Sequence, residues 1–154
     1  MSFSCSKKTF LTKKKKMSCL FNSMAALLCD RPDLLASSPF AELRDLERPP
    51  TGKSIRASIC ALLDRRAIDV HAIPLDEWGA MEEGTNRDAY VRGMRDEGTW
   101  GGGIEIAALA AALRAPIVVH FGASRTIFGG EYDGPGTGPM LHLHYTGSHY
   151  TPVF

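Results

Sequence analysis

Pro116-Ile117-Val118-Val119-His120-Phe121 is the stretch where the chain changes character. An apolar run of this length, rich in β-branched residues and opened by a proline, reads as a strand. Three more strand patterns follow it, Arg125-Thr126-Ile127-Phe128, Met140–Tyr145 and Tyr150–Phe154, joined by Gly-rich turns. Upstream of it the spacing is helical. Leu20, Met24, Leu27 and Leu28 fall on one face of a helix predicted over Cys19–Cys29, stopped by Arg31-Pro32. Ser38-Pro39 is a start signal, with Ser as cap and Pro at the first helical position, for a short helix ending before Pro49-Pro50. Gly52 and Ser54 precede a third pattern, Ile55, Ile59, Leu62 and Leu63, ending near Arg66. Residues 67–84 are mixed, broken by Pro74 and Gly79. Asn86 caps a helix through Asp96 with Tyr90, Val91 and Met94 inward, Gly98–Gly103 is a tight turn, and Ile104–Leu113 is an Ala-rich helix. Helices first and strands later predict an α+β fold, a small sheet of mostly C-terminal strands packed by helices. No internal repeat is present.

At 154 residues, 44% hydrophobic and 23% charged, the composition is that of a globular domain able to bury a continuous core. The net charge of +1 hides an asymmetry: residues 1–16 hold six lysines and no acid, so the rest of the chain carries −5. This predicts a basic, loosely attached tail over 1–16 and a folded domain over 17–154, and it argues against nucleic-acid binding by the whole chain. Cys5, Cys19, Cys29 and Cys60 show no C-x-x-C spacing or disulfide framework, which points to an intracellular, reducing compartment, cytoplasm or nucleus. No apolar run reaches membrane-spanning length. Lys13–Lys16 followed by Met17–Cys29 has the outline of a signal peptide, but Asn22 and Ser23 interrupt its apolar part and Leu28 spoils a lipoprotein box at Cys29.

Two residues carry the chemistry. Cys19 opens the first helix, where the positive end of the helix dipole favours thiolate. His149 opens the last strand, and an imidazole brought beside that thiol can take its proton and return it to a leaving amine. Such a pair is the least that a cysteine hydrolase needs. The glycines of Gly98-Thr99-Trp100-Gly101-Gly102-Gly103 permit close approach of another chain, with Trp100 as a wall. Taken alone, that stretch reads better as a helix-to-helix turn around a buried tryptophan.

Tyr90-x-x-x-Met94-x-x-x-Gly98-Thr99-Trp100-Gly101-Gly102-x-x-Glu105-Ile106 closely resembles the middle motif of the OTU (ovarian tumour) cysteine proteases. Cys19-Leu20-Phe21-x-Ser23 resembles the start of that family's nucleophile helix, Pro116-Ile117-Val118-Val119 its core strand, and His149-Tyr150 the start of its last strand. The resemblance runs from about Ser18 to Phe154 with the motifs in order. It implies an OTU-like cysteine protease fold, and a deubiquitinase cleaving isopeptide or peptide bonds after the ubiquitin C-terminus, acting as a monomer without cofactor or metal. It implies Cys19 as nucleophile, His149 as general base and acid, and Gly98, Thr99, Trp100, Gly101 and Gly102 as the border of the cleft for ubiquitin's Gly-Gly tail. Two positions depart from the family. Asp-Gly-x before the cysteine is replaced by Lys16-Met17-Ser18, and the acid or amide two residues after the histidine is replaced by Thr151. Thr151 shares a strand face with His149 and can reach the imidazole, but a hydroxyl is a poor substitute for a carboxylate. Two explanations stay open: a weakened or inactive, ubiquitin-binding relative, or an altered start replacing the expected loop.

Other constellations are weaker. His142-Leu143-His144 puts two imidazoles on one strand face, with His120 and His149 as possible neighbours, but no fourth ligand for a metal is identifiable. Gly52-Lys53-Ser54 lacks the first glycine of a phosphate loop, its place being taken by Glu47. Lys13–Lys16 reads as a solvated tail rather than an import signal. Cys29 and Cys60 fall in helical patterns as inert core thiols.

Overall fold

The computed structural model describes residues 18–70, 73–74, 87–136 and 138–154. The basic tail expected over 1–16, and most of the mixed segment 67–84, lie outside these described residues.

Helix α1 (Cys19–Cys29) runs through the middle of the molecule, burying Leu20, Phe21, Met24, Leu27 and Leu28. Ser18 stands at its N-cap, yet its side chain caps nothing in the helix. Pro32 does not simply end this region. It occupies the first turn of a short helix α2 (Pro32–Ala36), where a missing N–H costs nothing. A single turn, α3 (Ala41–Arg44), follows Ser38, whose hydroxyl donates to the Ala112 carbonyl at 2.7 Å instead of capping. Helix α4 (Gly52–Asp64) starts at a capping box: Thr51 Oγ1 accepts the Ser54 N–H at 3.1 Å and Ser54 Oγ accepts the Thr51 N–H at 2.9 Å. A two-residue antiparallel pair, β1 (Asp69–Val70) with β2 (Ile73–Pro74), precedes α5 (Arg87–Met94) and α6 (Gly103–Leu113). Arg114, with φ 52°, closes α6 in the left-handed region.

The sheet holds β3 (Ile117–Phe121), β4 (Ser124–Phe128), β5 (Leu141–Tyr145) and β6 (Tyr150–Val153) in the order β4-β3-β5-β6. Strands β3 and β4 form a hairpin whose two-residue turn places Gly122 at φ 58°, a conformation glycine adopts without steric cost. Strand β5 returns parallel to β3, with Ile117 opposite Leu141 and Val119 opposite Leu143. Antiparallel pairing of β6 to β5 then leaves β6 as an edge. Ile117, Val119, Leu141 and Leu143 close one core with Ile106 and Leu109 of α6, Ile55 and Ile59 of α4, and the apolar face of α1. The architecture is the α+β arrangement predicted, a small four-stranded sheet packed by helices. Among the described residues no helix is long and apolar enough to cross a membrane.

Candidate active site

An edge strand presents backbone groups that need partners. In β6 those groups at Tyr150 are taken by side chains of α1. The Tyr150 N–H points at Cys19 Sγ, 3.4 Å away, and the Tyr150 carbonyl accepts from Ser23 Oγ at 3.1 Å. Cys19 and Ser23 are one helical turn apart and share a face, so a single peptide unit of the last strand is gripped by the first helix at two points. This fixes the register between elements 131 residues apart in sequence. Cys19 is half-buried at the first residue of α1.

His149 immediately precedes the gripped residue. Its N–H donates to Thr146 Oγ1 at 3.0 Å and its carbonyl accepts the Thr146 N–H at 3.0 Å, so Thr146 holds the His149 backbone from both sides. The Tyr145 hydroxyl adds a bond to the Gly147 carbonyl at 2.9 Å, and its ring stacks on Tyr150 with centroids 4.5 Å apart. The His149 ring lies 6.0 Å from the Trp100 ring at a tilt of 44°. No hydrogen bond to this ring is present among the described residues. Thr151 is exposed, paired across the strands with His144, and its hydroxyl makes no bond among the described residues.

The glycine stretch meets this centre at two points, Gly101 against the first turn of α1 and Trp100 beside the His149 ring. Gly101 is buried, and a Cβ there would meet Leu20 Cδ2 at 2.8 Å and Phe21 Cε2 at 2.9 Å; the absent side chain is what lets the loop lie on the first turn of α1. Gly102 faces open space, with nothing within 4 Å of the same position. Gly98, Thr99, Trp100 and Gly102 line a cavity of about 680 Å³ with Tyr90, Met94 and Glu105, whereas Gly101 is turned to the core. Trp100 is 44% exposed, a wall rather than a core residue.

Two buried ionisable side chains, Glu105 and Arg56, hold the ends of this loop. Behind it, Glu105 accepts the Gly102 N–H at 2.8 Å and the Tyr90 hydroxyl at 2.5 Å. Burial pushes its carboxyl above the usual range, against the lowering effect of the two hydrogen bonds. Ahead of the loop, Arg56 donates to the Met94 carbonyl at 2.8 Å and the Thr99 carbonyl at 2.9 Å. The phenol of Tyr150 is pushed up to about 12, chiefly by burial and then by the Tyr145 and Cys19 charges.

The remaining candidates separate from this centre. His142 Nδ1 lies 2.9 Å from His120 Nε2, with the rings stacked, on neighbouring strands of the sheet. Burial, then the charges of His120 and Arg125, pull the His142 pKa down. No group of three or more metal-ligating side chains occurs among the described residues. Cys60 is a fully buried free thiol whose pKa burial pushes up to about 11. Cys29, expected as an inert core thiol, is half-buried and disulfide-bonded, a correction to that expectation. Arg56 and Thr146 escaped the sequence reading. Arg56 shares the apolar face of Ile59, Cys60 and Leu63, and a lone charge on such a face was its signal; Thr146, three residues before His149, has the spacing of a side-chain-to-backbone turn.

The sequence profile of the OTU-like cysteine proteases matches residues 18–150. Among solved structures, the chain resembles the OTU domain of OTUD1 with 15% identity, a TM-score of 0.60, and coverage of 99% of this chain and 94% of that one. An OTU domain solved in complex with ubiquitin gives 15% identity and a TM-score of 0.58 over 89% of this chain; the match spans only 63% of that chain's length. An OTU deubiquitinase from Wolbachia pipientis wMel gives 14% identity and a TM-score of 0.56, covering 90% of this chain and 83% of the other. At such identities the likeness is one of fold. No curated protein matches the chain in sequence.

Proposed function

Because the chain belongs to the OTU-like cysteine proteases, we propose that it is a deubiquitinase that hydrolyses the isopeptide or peptide bond after the ubiquitin C-terminus. The observation that carries this reading is the Tyr150 N–H directed at Cys19 Sγ at 3.4 Å, with the His149 ring one residue away facing Trp100. Cys19 loses its proton to His149, and the thiolate attacks the carbonyl carbon of ubiquitin's terminal glycine. The C–N bond breaks as His149 returns the proton to the departing amine, leaving a thioester. Water, deprotonated by the same imidazole, then attacks the thioester and frees the carboxylate and the thiol. The Cys19 N–H and N–H groups of the loop just before it are the donors assigned to the tetrahedral oxyanion. Thr151 is the residue assigned to orient the ring, and the open position at Gly102 is where ubiquitin's narrow tail passes.

The partners in this reading are ubiquitin or ubiquitin-like conjugates met by a monomer of the 17–154 domain. The setting is a reducing intracellular compartment, where Cys19 remains a free thiol; the disulfide at Cys29 is the observation that pulls against that setting. A second reading, a weakly active or inactive ubiquitin-binding relative, is favoured by one observation: among the described residues nothing is hydrogen-bonded to the His149 ring. Ubiquitin with a C-terminal propargylamide separates the two. A covalent adduct on Cys19, abolished in Cys19→Ala, is expected of the enzyme. No adduct with the natural chain, but an adduct after Lys16→Asp with Met17→Gly, refutes natural activity. Ubiquitin binding without turnover, unchanged by Cys19→Ala, selects the second reading.

A further inference from the structure

Arg56 is 2% exposed, and a guanidinium is retained in such a place only if its donors are satisfied. Its hydrogen bonds to described residues cluster. Nη1 donates to the Met94 carbonyl at 2.8 Å, and Nη2 donates to the Thr99 carbonyl at 2.9 Å, the Glu97 carbonyl at 3.5 Å and Ser18 Oγ at 3.3 Å. Ser18 in turn donates to the Glu97 carbonyl at 3.2 Å. The guanidinium carbon lies 4.3 Å above the centroid of the Phe21 ring. These partners therefore fall in two groups: residues flanking Cys19, namely Ser18 and Phe21, and the segment that leads into Trp100, namely Met94, Glu97 and Thr99.

We infer that Arg56 is a positioning residue that sets the separation between the Cys19 end of α1 and the loop bearing Trp100. The inference rests on the deubiquitinase reading for its consequence in catalysis, but not for the geometry. The Arg56 bonds named above go to neither Cys19 nor His149. It acts by holding both walls of the cleft from behind, with two nitrogens serving different carbonyls and a flat face on Phe21. Lysine keeps the charge but gathers its donors on one nitrogen and has no plane to lay on Phe21, so it cannot reproduce the spread of the guanidinium between the two walls.

Arg56→Lys and Arg56→Met, made in the full chain, test this through reagents of different size. Alkylation of Cys19 by chloroacetamide needs only an accessible thiol, whereas reaction with ubiquitin propargylamide needs the thiol and the loop in register. In Arg56→Lys, alkylation per folded molecule is expected within threefold of wild type while the ubiquitin-probe rate falls tenfold or more. Arg56→Met is expected to lose the probe reaction equally but to melt lower. Restoring the charge should thus recover melting temperature and not reactivity. A probe rate within twofold of wild type in Arg56→Lys, or equal losses toward both reagents, overturns the inference.

Failure of the wild-type chain with the ubiquitin probe would count against the deubiquitinase reading instead. Arg56 is then judged by acrylamide quenching of Trp100 fluorescence in a Trp78→Phe background. A quenching constant changed twofold or more in Arg56→Lys supports the positioning role, and an unchanged constant refutes it. Should Arg56→Lys not fold, Ser18→Ala removes only the hydroxyl that Arg56 shares with Glu97. A probe rate lowered threefold or more with unchanged alkylation supports the inference, and unchanged probe reactivity overturns it.

Discussion

Gly101 and Gly102 are neighbours of the same type, yet replacing each by alanine should change stability by different amounts. A Cβ at Gly101 would stand 2.8 Å from Leu20 Cδ2, 2.9 Å from Phe21 Cε2 and 3.2 Å from Phe21 Cζ. Relaxed carbon–carbon contacts lie at about 3.5–4.0 Å, so each of these is short by a large margin. Neither neighbour has room to yield: both are buried, and Phe21 is held under Arg56. Overpacking of this kind costs about 1–3 kcal/mol. Alanine also narrows the unfolded ensemble, which offsets about 0.4–1 kcal/mol. The net loss for Gly101→Ala is then about 0.5–2 kcal/mol, or about 1–8 °C in melting temperature for a chain of this size. At Gly102 nothing lies within 4 Å of an added Cβ and the backbone is extended, so no packing penalty arises. Gly102 is the N-cap of α6, where alanine is disfavoured by an amount similar to its unfolded-state gain, so Gly102→Ala is expected to change stability by less than about 0.5 kcal/mol while slowing reaction with the ubiquitin probe. Calorimetry of the two variants beside chloroacetamide kinetics reads both effects. Shifts of the same sign and size would refute the division of this loop into one packing glycine and one cleft glycine.

Further expectations follow from other groups. His149→Ala is expected to abolish turnover with the fold intact, and Thr151→Asp to raise it, since a carboxylate orients an imidazole better than a hydroxyl; slower steady-state turnover in Thr151→Asp would show the ring to be held from another direction. Glu105 titrates above its ordinary value of 4.5 in the fold, so the folded state holds its proton longer and the wild type loses stability as pH rises from 4.5 through the raised pKa. Glu105→Gln carries no such term, so its urea-unfolding free energy relative to wild type should increase over that interval; a pH-independent difference would contradict the assignment. Cys60, at about 11, is ionised in about one molecule in a thousand at pH 8 and is sealed in the core, so mass spectrometry should find iodoacetamide on Cys19 long before Cys60.

Much of this architecture is legible in the chain because local pattern and tertiary role agree. The β-branched run 117–119 is a central strand, and Leu20, Met24, Leu27 and Leu28 do face the core. The strand order β4-β3-β5-β6, with β3 and β5 parallel, is written in no local pattern; it depends on pairings across the sheet. Pro32 shows a local ambiguity, since one residue type both ends a helix and begins the next. At the site, Cys19, His149 and the Gly–Trp stretch stand out through their residue types. Gly101 does not reveal that its bare face points at Leu20 instead of at the cleft. Arg56 is hidden most completely, because a single arginine in a helix is ordinarily solvated, and its carbonyl partners lie 38 and 43 residues away.

The grip of α1 on the Tyr150 peptide joins the first described helix to the last strand. Contacts of such long sequence separation form slowly, because the entropy of closing the intervening chain must be met before they stabilise anything. During refolding, far-ultraviolet circular dichroism should recover first, with the Cys19 sulfur still apart from the Tyr150 peptide. Docking of the final hairpin would then be a clock for the last stage of maturation, and a chain released before it would lack the assembled candidate site.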